Sequence, residues 1–264
     1  MVNAAAPLST AEQFARDGYV VLPGALPAAL CSKFGTEILD EYQRLIDAGW
    51  KFNSSGQLAG HLNLAAGPSG RALLAALGQA GVPHLIEQLC GEPMALAQAA
   101  GNLNLPGSCH QDFHIDGDFS ARTLIANVCL VPTDDHNGAT ALVPASHIAP
   151  LAYWQFRQQG WSRRAVRPTL APGDVLLRPS NLWHRGTPNH SKTARPMAAF
   201  VWAAAGAVDP AQAERELTRP LTIYGNKYYG RWRKFKEFTA VRLPWLDEAI
   251  RLGRSRLTER GTSA

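Results

Sequence analysis

From about residue 93 onward, the chain is a succession of short β-rich stretches separated by turn signals. Glycine, proline and asparagine at the junctions favour tight turns, because they readily adopt the backbone angles that such turns need. Many short strands at close spacing, with turns of this kind between them, predict a β-sandwich or a barrel. The predicted strands cover residues 94–104, 109–116, 123–131, 140–143, 174–178 and 196–204, and the turn signals are Pro106-Gly107, Asp116-Gly117, Asn137-Gly138 and Pro172-Gly173-Asp174.

Helical signals flank the β-rich part on both sides. Ser9 and Glu12 have the spacing of a capping box, in which each side chain bonds to the backbone of the other residue. Pro27 suits a first helical position, and apolar residues then recur at helical spacing as far as about Gly49. Helices are predicted over 9–16, 27–49, a stretch that follows Ser69, 83–90 and 244–257, with a strand at 19–22.

We predict one domain over residues 1–264. The length suits a single domain, and no linker, repeat or low-complexity tract interrupts the sequence. Residues 1–92 are expected to be helical with one strand, residues 93–205 to form the β core, and residues 206–264 to form a helical C-terminal extension.

Composition excludes several classes of protein. Hydrophobic residues make up 46% of the chain and charged residues 18%, which allows a packed core and argues against wholesale disorder. No apolar run approaches the roughly 18 residues that span a bilayer, and the sequence opens with no export signal. Because Cys31, Cys90, Cys109 and Cys129 form no CxxC pair, neither a disulfide framework nor a zinc ribbon is expected. We predict a cytoplasmic protein with no membrane partner.

The net charge of +5 raises the question of nucleic-acid binding. The dense basic cluster at Lys227–Lys236 interleaves basic and aromatic residues, as grooves that follow a phosphate backbone do. A solvated, half-packed surface segment accounts for the same pattern, and an anionic or polar small substrate near the segment is the main alternative. We therefore predict no nucleic-acid partner.

Histidine and aspartate alternate within one predicted strand. Because alternate side chains of a strand share a face, His110, Asp112, His114 and Asp116 are expected to point the same way. Two imidazoles and two carboxylates on one face are costly to bury without a cation. Two histidines and one carboxylate that leave coordination positions open are typical of non-haem Fe(II) oxygenases, and His184 is the best candidate for the distant histidine.

Arg195 follows His184 and opens the apolar segment 196–202. A guanidinium inside a barrel needs an anion, and its planar fork of donors suits a carboxylate. A dicarboxylate co-substrate would chelate iron with one end and meet the arginine with the other.

Several segments, taken in order, resemble the phytanoyl-CoA dioxygenase family of 2-oxoglutarate oxygenases. That family's opening helix and strand, its NG…PGSH segment, the strand before its distal histidine and its HxGxxNxSxxxR pattern all have counterparts here. The match runs from about residue 12 to 202. The counterparts are Glu12–Gly24, Asn137–His147 and Pro172–Leu177, and for the last pattern His184, Gly186, Asn189, Ser191 and Arg195.

The resemblance implies a mainly β fold, the double-stranded β-helix. This is a cupin-like jelly roll, here with its core at 93–205 and with α-helices on its N- and C-terminal flanks. It also implies Fe(II) held by an HxD pair and His184, 2-oxoglutarate whose C5 carboxylate is bound by Arg195, and O₂ as the oxidant.

Two registers can provide the HxD pair. We favour His114 and Asp116, because the turn after Asp116 lets the carboxylate fold back to the metal. His110 and Asp112 are the alternative. In the favoured register Gln111 becomes a group that faces the co-substrate or the substrate and orients the metal ligands.

Further residues are candidates for the cofactor and substrate sites. The side-chain amides of Asn102 and Asn104 are either paired in turns or face inward to bind 2-oxoglutarate or substrate. Residues 45–70, 148–168 and the basic-aromatic tail are expected to wall the pocket, and 148–168 reads equally well as a lid or as a surface loop.

The resemblance implies that the protein oxidises, most simply by hydroxylation, a small-molecule metabolite that is expected to be polar. Natural-product intermediates are among the candidates, and succinate and CO₂ are released. Desaturation, ring closure, epimerisation and ketone formation stay open at this point. Two alternatives are a cupin-like metal enzyme that does not use 2-oxoglutarate, and a non-catalytic binding module on the same fold.

Overall fold

The computed structural model describes residues 8–52, 59–120, 122–225 and 231–261. Helices α1 to α8 span Thr10–Asp17, Ala28–Asp47, Ser69–Gln79, Val82–Cys90, Tyr153–Gln158, Pro210–Thr218, Arg231–Arg242 and Pro244–Gly261. Strands β1 to β9 span Val20–Leu22, His61–Ala65, Met94–Asn104, Thr123–Cys129, Ala141–Leu142, Val175–Pro179, His184–Arg185, Arg195–Ala204 and Thr222–Tyr224. Short 3₁₀ turns lie at Trp161–Arg164 and Ala205–Ala207.

The strands form a double-stranded β-helix, as predicted. Seven of them make an antiparallel sheet in the order β1-β6-β4-β8-β3-β2-β9, and β5 pairs with β7 in a second sheet. Apolar side chains occupy part of the space between the two sheets. Leu142 of β5 packs there with Cys129, Leu176 and Met197 of the larger sheet.

The central strand β8 shows how the chain divides core from cavity. Ala198, Phe200 and Trp202 belong to the main hydrophobic core, which the N-terminal helices share. The intervening residues Ala199 and Val201 line a cavity on the opposite face. Alternate side chains of this one buried strand thus face the hydrophobic core on one side and the cavity on the other.

The predicted helix at the N-terminus is confirmed in detail. The Ser9 Oγ accepts from the Glu12 N–H at 3.3 Å, and the Glu12 carboxylate accepts from the Ser9 N–H at 2.8 Å. This capping box begins α1, and Gly18 ends the helix with a φ of 79°. Pro27 lies at the N-cap of α2, one residue before the first helical position at which it was expected.

Three predictions about secondary structure are wrong. Residues 109–116 form no strand, and only His114 makes an isolated β-bridge. Residues 61–65 form strand β2, so the N-terminal part contains two strands and not one. A short strand, β9, lies in the C-terminal part that was expected to be helical. The division of the chain into three parts otherwise stays a prediction.

Part of the basic-aromatic cluster lies outside the described residues. The remainder opens α7, where the Trp232 and Phe235 side chains are exposed and stack on each other. Among the described residues, none of the helices combines the length and the apolar character that a bilayer crossing requires.

Candidate metal centre

His114 and His184 lie side by side because a backbone bridge joins them. The N–H of each residue donates to the carbonyl of the other, in both cases at 3.0 Å. Their ring centroids are 4.4 Å apart. Because His184 opens β7, which pairs with β5, the smaller sheet supports both imidazoles.

Asp116 completes the group. Its N–H donates to the Ser180 carbonyl at 2.8 Å, and Gly117 follows with a φ of 86°, so the chain turns and the carboxylate folds back. The Asp116 Oδ1 lies 3.7 Å from the His114 Nε2, and the Oδ2 lies 3.4 Å from the His184 Nε2. One donor atom from each of the three residues lies within 4.8 Å of the others, and the described part of the chain contains no second group of this kind.

Hydrogen bonds on the far side of each imidazole fix its tautomer. The His114 Nδ1 lies 2.7 Å from the Asp112 carbonyl, and the His184 Nδ1 lies 2.9 Å from the Leu182 carbonyl. A carbonyl can only accept, so each Nδ1 carries the proton and each Nε2 keeps a free lone pair. Both free lone pairs belong to the atoms nearest the Asp116 carboxylate, which is the arrangement that a metal ligand set requires.

The electrostatics of the group favour a cation. Burial lowers the pKa of His184 well below its usual range, so the imidazole is neutral. Burial alone would raise the pKa of the Asp116 carboxyl, but the Arg178 guanidinium and the two imidazoles hold it below its usual range. Two imidazoles and one carboxylate suit a divalent metal with N/O ligands.

A buried arginine lies beyond this group at the start of β8. Arg195 is 2% exposed, its Nη1 donates to the Asn102 Oδ1, and its Nη2 donates to the Gly138 carbonyl, each at 2.9 Å. Its Nε has no partner, and within the described residues no carboxylate forms an ion pair with it. Burial lowers the pKa of Arg195 to about 10, so the group remains charged at neutral pH. A buried guanidinium held by neutral acceptors fits an incoming carboxylate.

Gly138, whose carbonyl accepts from Arg195, packs closely against Asn104. Its φ is 89°, and a Cβ at this position would lie 2.1 Å from the Asn104 Nδ2. Any side chain would therefore displace Asn104 or crowd the Thr187 carbonyl, which lies 3.0 Å from the same Cβ position.

A cavity of about 430 Å³ opens at the metal centre. Asn102 and Gln111 both line it, in agreement with their predicted position. The Gln111 Oε1 also accepts from the Gly186 N–H at 2.9 Å, which ties the segment before His114 to β7. The cavity is lined by Asn63, Gln98, Ala100, Gly101, Asn102, Gln111, His114, Asp116, Thr123, Ile125, Asn127, Thr140, Arg178, Ser180, His184, Gly186, Ala199 and Val201.

The structure does not bring Asn104 to this cavity. The residue is fully buried, and its Nδ2 donates to the Thr187 carbonyl at 2.9 Å. Its backbone carbonyl accepts from the Asn189 side chain. The predicted contact of Asn104 with the co-substrate is therefore wrong on geometric grounds, since the amide supports the chain that follows His184.

His110 and Asp112, the alternative register, do not join the metal-binding group. Because this segment is not a strand, its alternate residues do not share a face. The Asp112 carboxylate forms an ion pair with Arg251 of α8, away from the His184 side. His110 and Asp112 instead line a second cavity of about 460 Å³, which shares Gln111 and His114 with the first.

The segment 148–168 does not act as a wall of either cavity within the described residues. Phe156 is fully buried and stacks on Trp183 with ring centroids 4.3 Å apart. Arg157 pairs with Glu248, and Tyr153 donates to the same carboxylate. The aromatic residues thus anchor α5 and the C-terminal helix α8 behind the loop that carries His114.

Sequence reasoning missed Arg178. This residue lies in the otherwise apolar strand β6, its side chain is 7% exposed, and its Nη2 is 2.8 Å from the Asp116 Oδ2. A single charge within a buried apolar strand was the available signal, because such a charge needs a partner.

A sequence profile of the phytanoyl-CoA dioxygenase (PhyH) family matches residues 14–197, which is more than half of the chain. The chain belongs to the phytanoyl-CoA dioxygenase family. Membership makes it a non-haem Fe(II)- and 2-oxoglutarate-dependent oxygenase, as predicted. The free imidazole lone pairs, the Asp116 carboxylate and the buried Arg195 fit those two groups.

Solved structures of low sequence identity share the fold. The non-haem α-ketoglutarate-dependent epimerase SnoN from nogalamycin biosynthesis is 24% identical, with a TM-score of 0.58 over 74% of this chain and 82% of that chain. The carbocyclase SnoK from the same biosynthesis is 17% identical, with a TM-score of 0.61 over 82% of this chain and 96% of that chain. EctD from S. alaskensis, solved with 2-oxoglutarate and 5-hydroxyectoine, is 24% identical, with a TM-score of 0.59 over 83% and 84%. These similarities confirm the predicted double-stranded β-helix.

Proposed function

We propose that this oxygenase hydroxylates a small, polar metabolite at the metal centre formed by His114, Asp116 and His184. The observation that carries the proposal is the convergence of two free imidazole lone pairs and one carboxylate on a cavity, within 4.8 Å of one another. When bound, iron with 2-oxoglutarate and O₂ supplies the oxidising power, and succinate and CO₂ are the products from the co-substrate.

The chain itself contributes orientation and charge. The His114–His184 bridge and the two carbonyl contacts hold the imidazoles ready, so little reorganisation accompanies metal binding. Arg195 is proposed to bind the distal carboxylate of 2-oxoglutarate, and Asn102 orients the guanidinium by accepting one of its protons. Gln111 lines the cavity between the metal centre and the loop that carries His114.

The cavity wall supports a polar substrate of metabolite size. Asn63, Gln98, Thr123 and Asn127 all face the space, together with a few apolar side chains. The two cavities share Gln111 and His114, and we propose that substrate approaches the metal centre through the second cavity, which residues of the C-terminal helices line. Side chains of this kind fix orientation by hydrogen bonds.

Two related folds widen the range of outcomes to be measured. SnoN is named an epimerase and SnoK a carbocyclase, and both act in the biosynthesis of nogalamycin. A natural-product intermediate is therefore a reasonable class of substrate for this chain. Hydroxylation is the outcome we propose, because it is the simplest oxidation that such a metal centre supports.

The first experiment is an anaerobic titration of the metal-free protein with Fe(II) and 2-oxoglutarate. We expect a visible charge-transfer band that requires both components and that fails to form when Zn(II) replaces Fe(II). Metal binding without the band would point to a cupin-like enzyme that does not use 2-oxoglutarate. Absence of metal binding would point to a non-catalytic module.

The second experiment screens polar metabolites for succinate release that depends on the added compound. Mass spectrometry of the product then tests the reaction type. A product that has gained one oxygen atom supports hydroxylation. A product of unchanged mass would indicate epimerisation, and loss of hydrogen would indicate desaturation or ring closure.

A further inference from the structure

Two buried arginines, Arg178 and Arg195, lie toward opposite ends of the larger sheet, which lines the cavity. Arg195 opens β8, and Val201 lies six residues further along the same strand, roughly 20 Å away at about 3.3 Å per residue. Val201 pairs with Ile125 of β4, and Ile125 pairs with Arg178 of β6. Arg178 therefore belongs to the row of residues at the end of the sheet remote from Arg195.

This remote row forms a continuous strip across four strands. Gln98 of β3 pairs with Val201, so the strip reads Arg178, Ile125, Val201 and Gln98. All of them line the cavity. The strip has an apolar centre with a charged group at one end and an amide at the other, which suits a small molecule that is polar at its ends.

The metal centre lies at the Arg178 end of the cavity floor. Asp116 is in contact with the Arg178 Nη2 at 2.8 Å, whereas Arg195 contacts Asn102 and Gly138. A dicarboxylate that reaches from the metal toward Arg195 would extend away from Arg178. The strip therefore lies on the side of the metal away from 2-oxoglutarate, where the substrate would bind.

Once the centre is loaded, Arg178 shares the Asp116 carboxylate with the metal. The guanidinium is 7% exposed, and its Nε and Nη1 have no hydrogen-bond partner. Of the described residues that line the cavity, Asp116 is the carboxylate, and it would bind the metal. The positive charges of Fe(II), Arg178 and Arg195 outnumber the negative charges of Asp116 and a dicarboxylate by one. An unbalanced buried charge is costly, so the loaded site favours one further anion.

We propose that Arg178 selects a substrate with an anionic oxygen group, such as a carboxylate, sulfate or phosphate, and holds it over the strip beside the metal. The inference rests on the proposed function, because it takes Asp116 as a metal ligand and Arg195 as the partner of 2-oxoglutarate. Gln98 accepts or donates at the other end of the bound molecule.

The test uses full-length protein loaded anaerobically with Fe(II) and saturating 2-oxoglutarate, so that Arg195 is occupied. Benzoate and its neutral isostere benzamide are titrated by calorimetry, while the charge-transfer band is recorded in the same sample. We expect benzoate to bind at least about ten-fold more tightly than benzamide, since a hydrogen bond to a charged group contributes about 1.5–3 kcal/mol. In samples that show the band, Arg178→Gln should remove this preference and Arg178→Lys should keep part of it. The matched control Arg122→Gln, at an exposed arginine that pairs with Glu92 and lines neither cavity, should keep the preference.

The outcomes separate this inference from the proposed function. A missing band in the wild-type protein would overturn the proposed function itself. A normal band without a preference for benzoate would overturn only the role of Arg178, and this comparison needs no variant. A preference that survives Arg178→Gln would also overturn it, as would a loss of 2-oxoglutarate affinity as large as that caused by Arg195→Gln, because Arg178 would then belong to the co-substrate.

Discussion

His114 and His184 exchange backbone hydrogen bonds, each N–H donating to the carbonyl of the other at 3.0 Å. The exchange holds a loop residue against a strand residue from a distant part of the chain. It also places the two imidazoles with their ring centroids 4.4 Å apart. The ligand geometry is therefore a property of the folded backbone, and it should persist when the metal is removed.

Replacing His114 should separate the two possible ligand registers. We expect His114→Ala to weaken Fe(II) binding by more than about 100-fold, because loss of a direct ligand exceeds the 10- to 100-fold effect of outer-shell changes. His110→Ala is the matched control and should bind Fe(II) nearly as the wild type does. Anaerobic calorimetry of the metal-free proteins measures both affinities. Loss of Fe(II) binding in His110→Ala, with binding retained in His114→Ala, would assign the metal to His110 and Asp112 instead.

Arg195 should act on the co-substrate and not on the metal. Arg195→Met removes a buried fork of charged donors, so we expect the Kd of 2-oxoglutarate to rise about 30-fold or more, while the Kd of Fe(II) changes by less than about three-fold. Arg195→Lys keeps the charge without the fork, so its Kd for 2-oxoglutarate should fall between those of the wild type and Arg195→Met. Titration of the charge-transfer band gives both constants. Equal losses for metal and co-substrate would contradict the assigned role.

The sequence predicts the parts of this site that depend on local pattern. Residues 94–104 were expected as a strand and are one, because the stretch is bounded by Pro93 and by the Pro106-Gly107 turn signal, although its alanine-rich composition does not itself favour a strand. His184 was expected as the distant metal ligand, and the structure brings it beside His114 and Asp116. In each case a run of neighbouring residues carries the information.

The sequence fails where long-range contacts decide the conformation. Residues 109–116 alternate like a strand, but Asp112 is drawn to Arg251 of α8 and Gln111 bonds to the Gly186 backbone. The alternation predicted a shared face that the backbone does not form. Arg178 was missed for the same reason, since only the fold shows that its strand runs beneath Asp116.

The C-terminal helix should influence metal affinity through Arg251. Its Nη2 donates to the Phe113 carbonyl at 2.8 Å, directly before His114, and its guanidinium lies 3.9 Å above the Tyr153 ring. Because these contacts fix the loop that carries a proposed ligand, Arg251→Met should weaken Fe(II) binding by about 10-fold. The 2-oxoglutarate affinity of the metal-loaded form should change little.

Arg242→Met is the control for the Arg251 variant. Arg242 lies in the last turn of α7 and is exposed, so its loss should leave Fe(II) affinity unchanged. Anaerobic calorimetry compares the two variants with the wild type. Equal losses of Fe(II) affinity in the two variants would show that helices α7 and α8 act through general stability and not through the loop before His114.

His61 should make the metal-free protein sensitive to acid. Its Nε2 lies 2.7 Å from the Cys109 carbonyl, and burial lowers the pKa of the imidazole from 6.5 to about 4. The folded state therefore binds fewer protons than the unfolded state between these pH values, so the free energy of unfolding falls as the pH drops from about 6.5 to about 4. A pKa lowered by this much reduces the free energy of unfolding by about 3 kcal/mol at most over this pH range.

The variant His61→Gln isolates this contribution, because glutamine can still donate to the Cys109 carbonyl but cannot take up a proton. Urea unfolding of metal-free protein at pH 7 and pH 4 should show a loss of stability about 3 kcal/mol smaller in this variant than in the wild type. The exposed His84, replaced by glutamine, is the control and should follow the wild type. Identical losses in all three proteins would mean that His61 leaves its buried position, or is already protonated, before the protein unfolds.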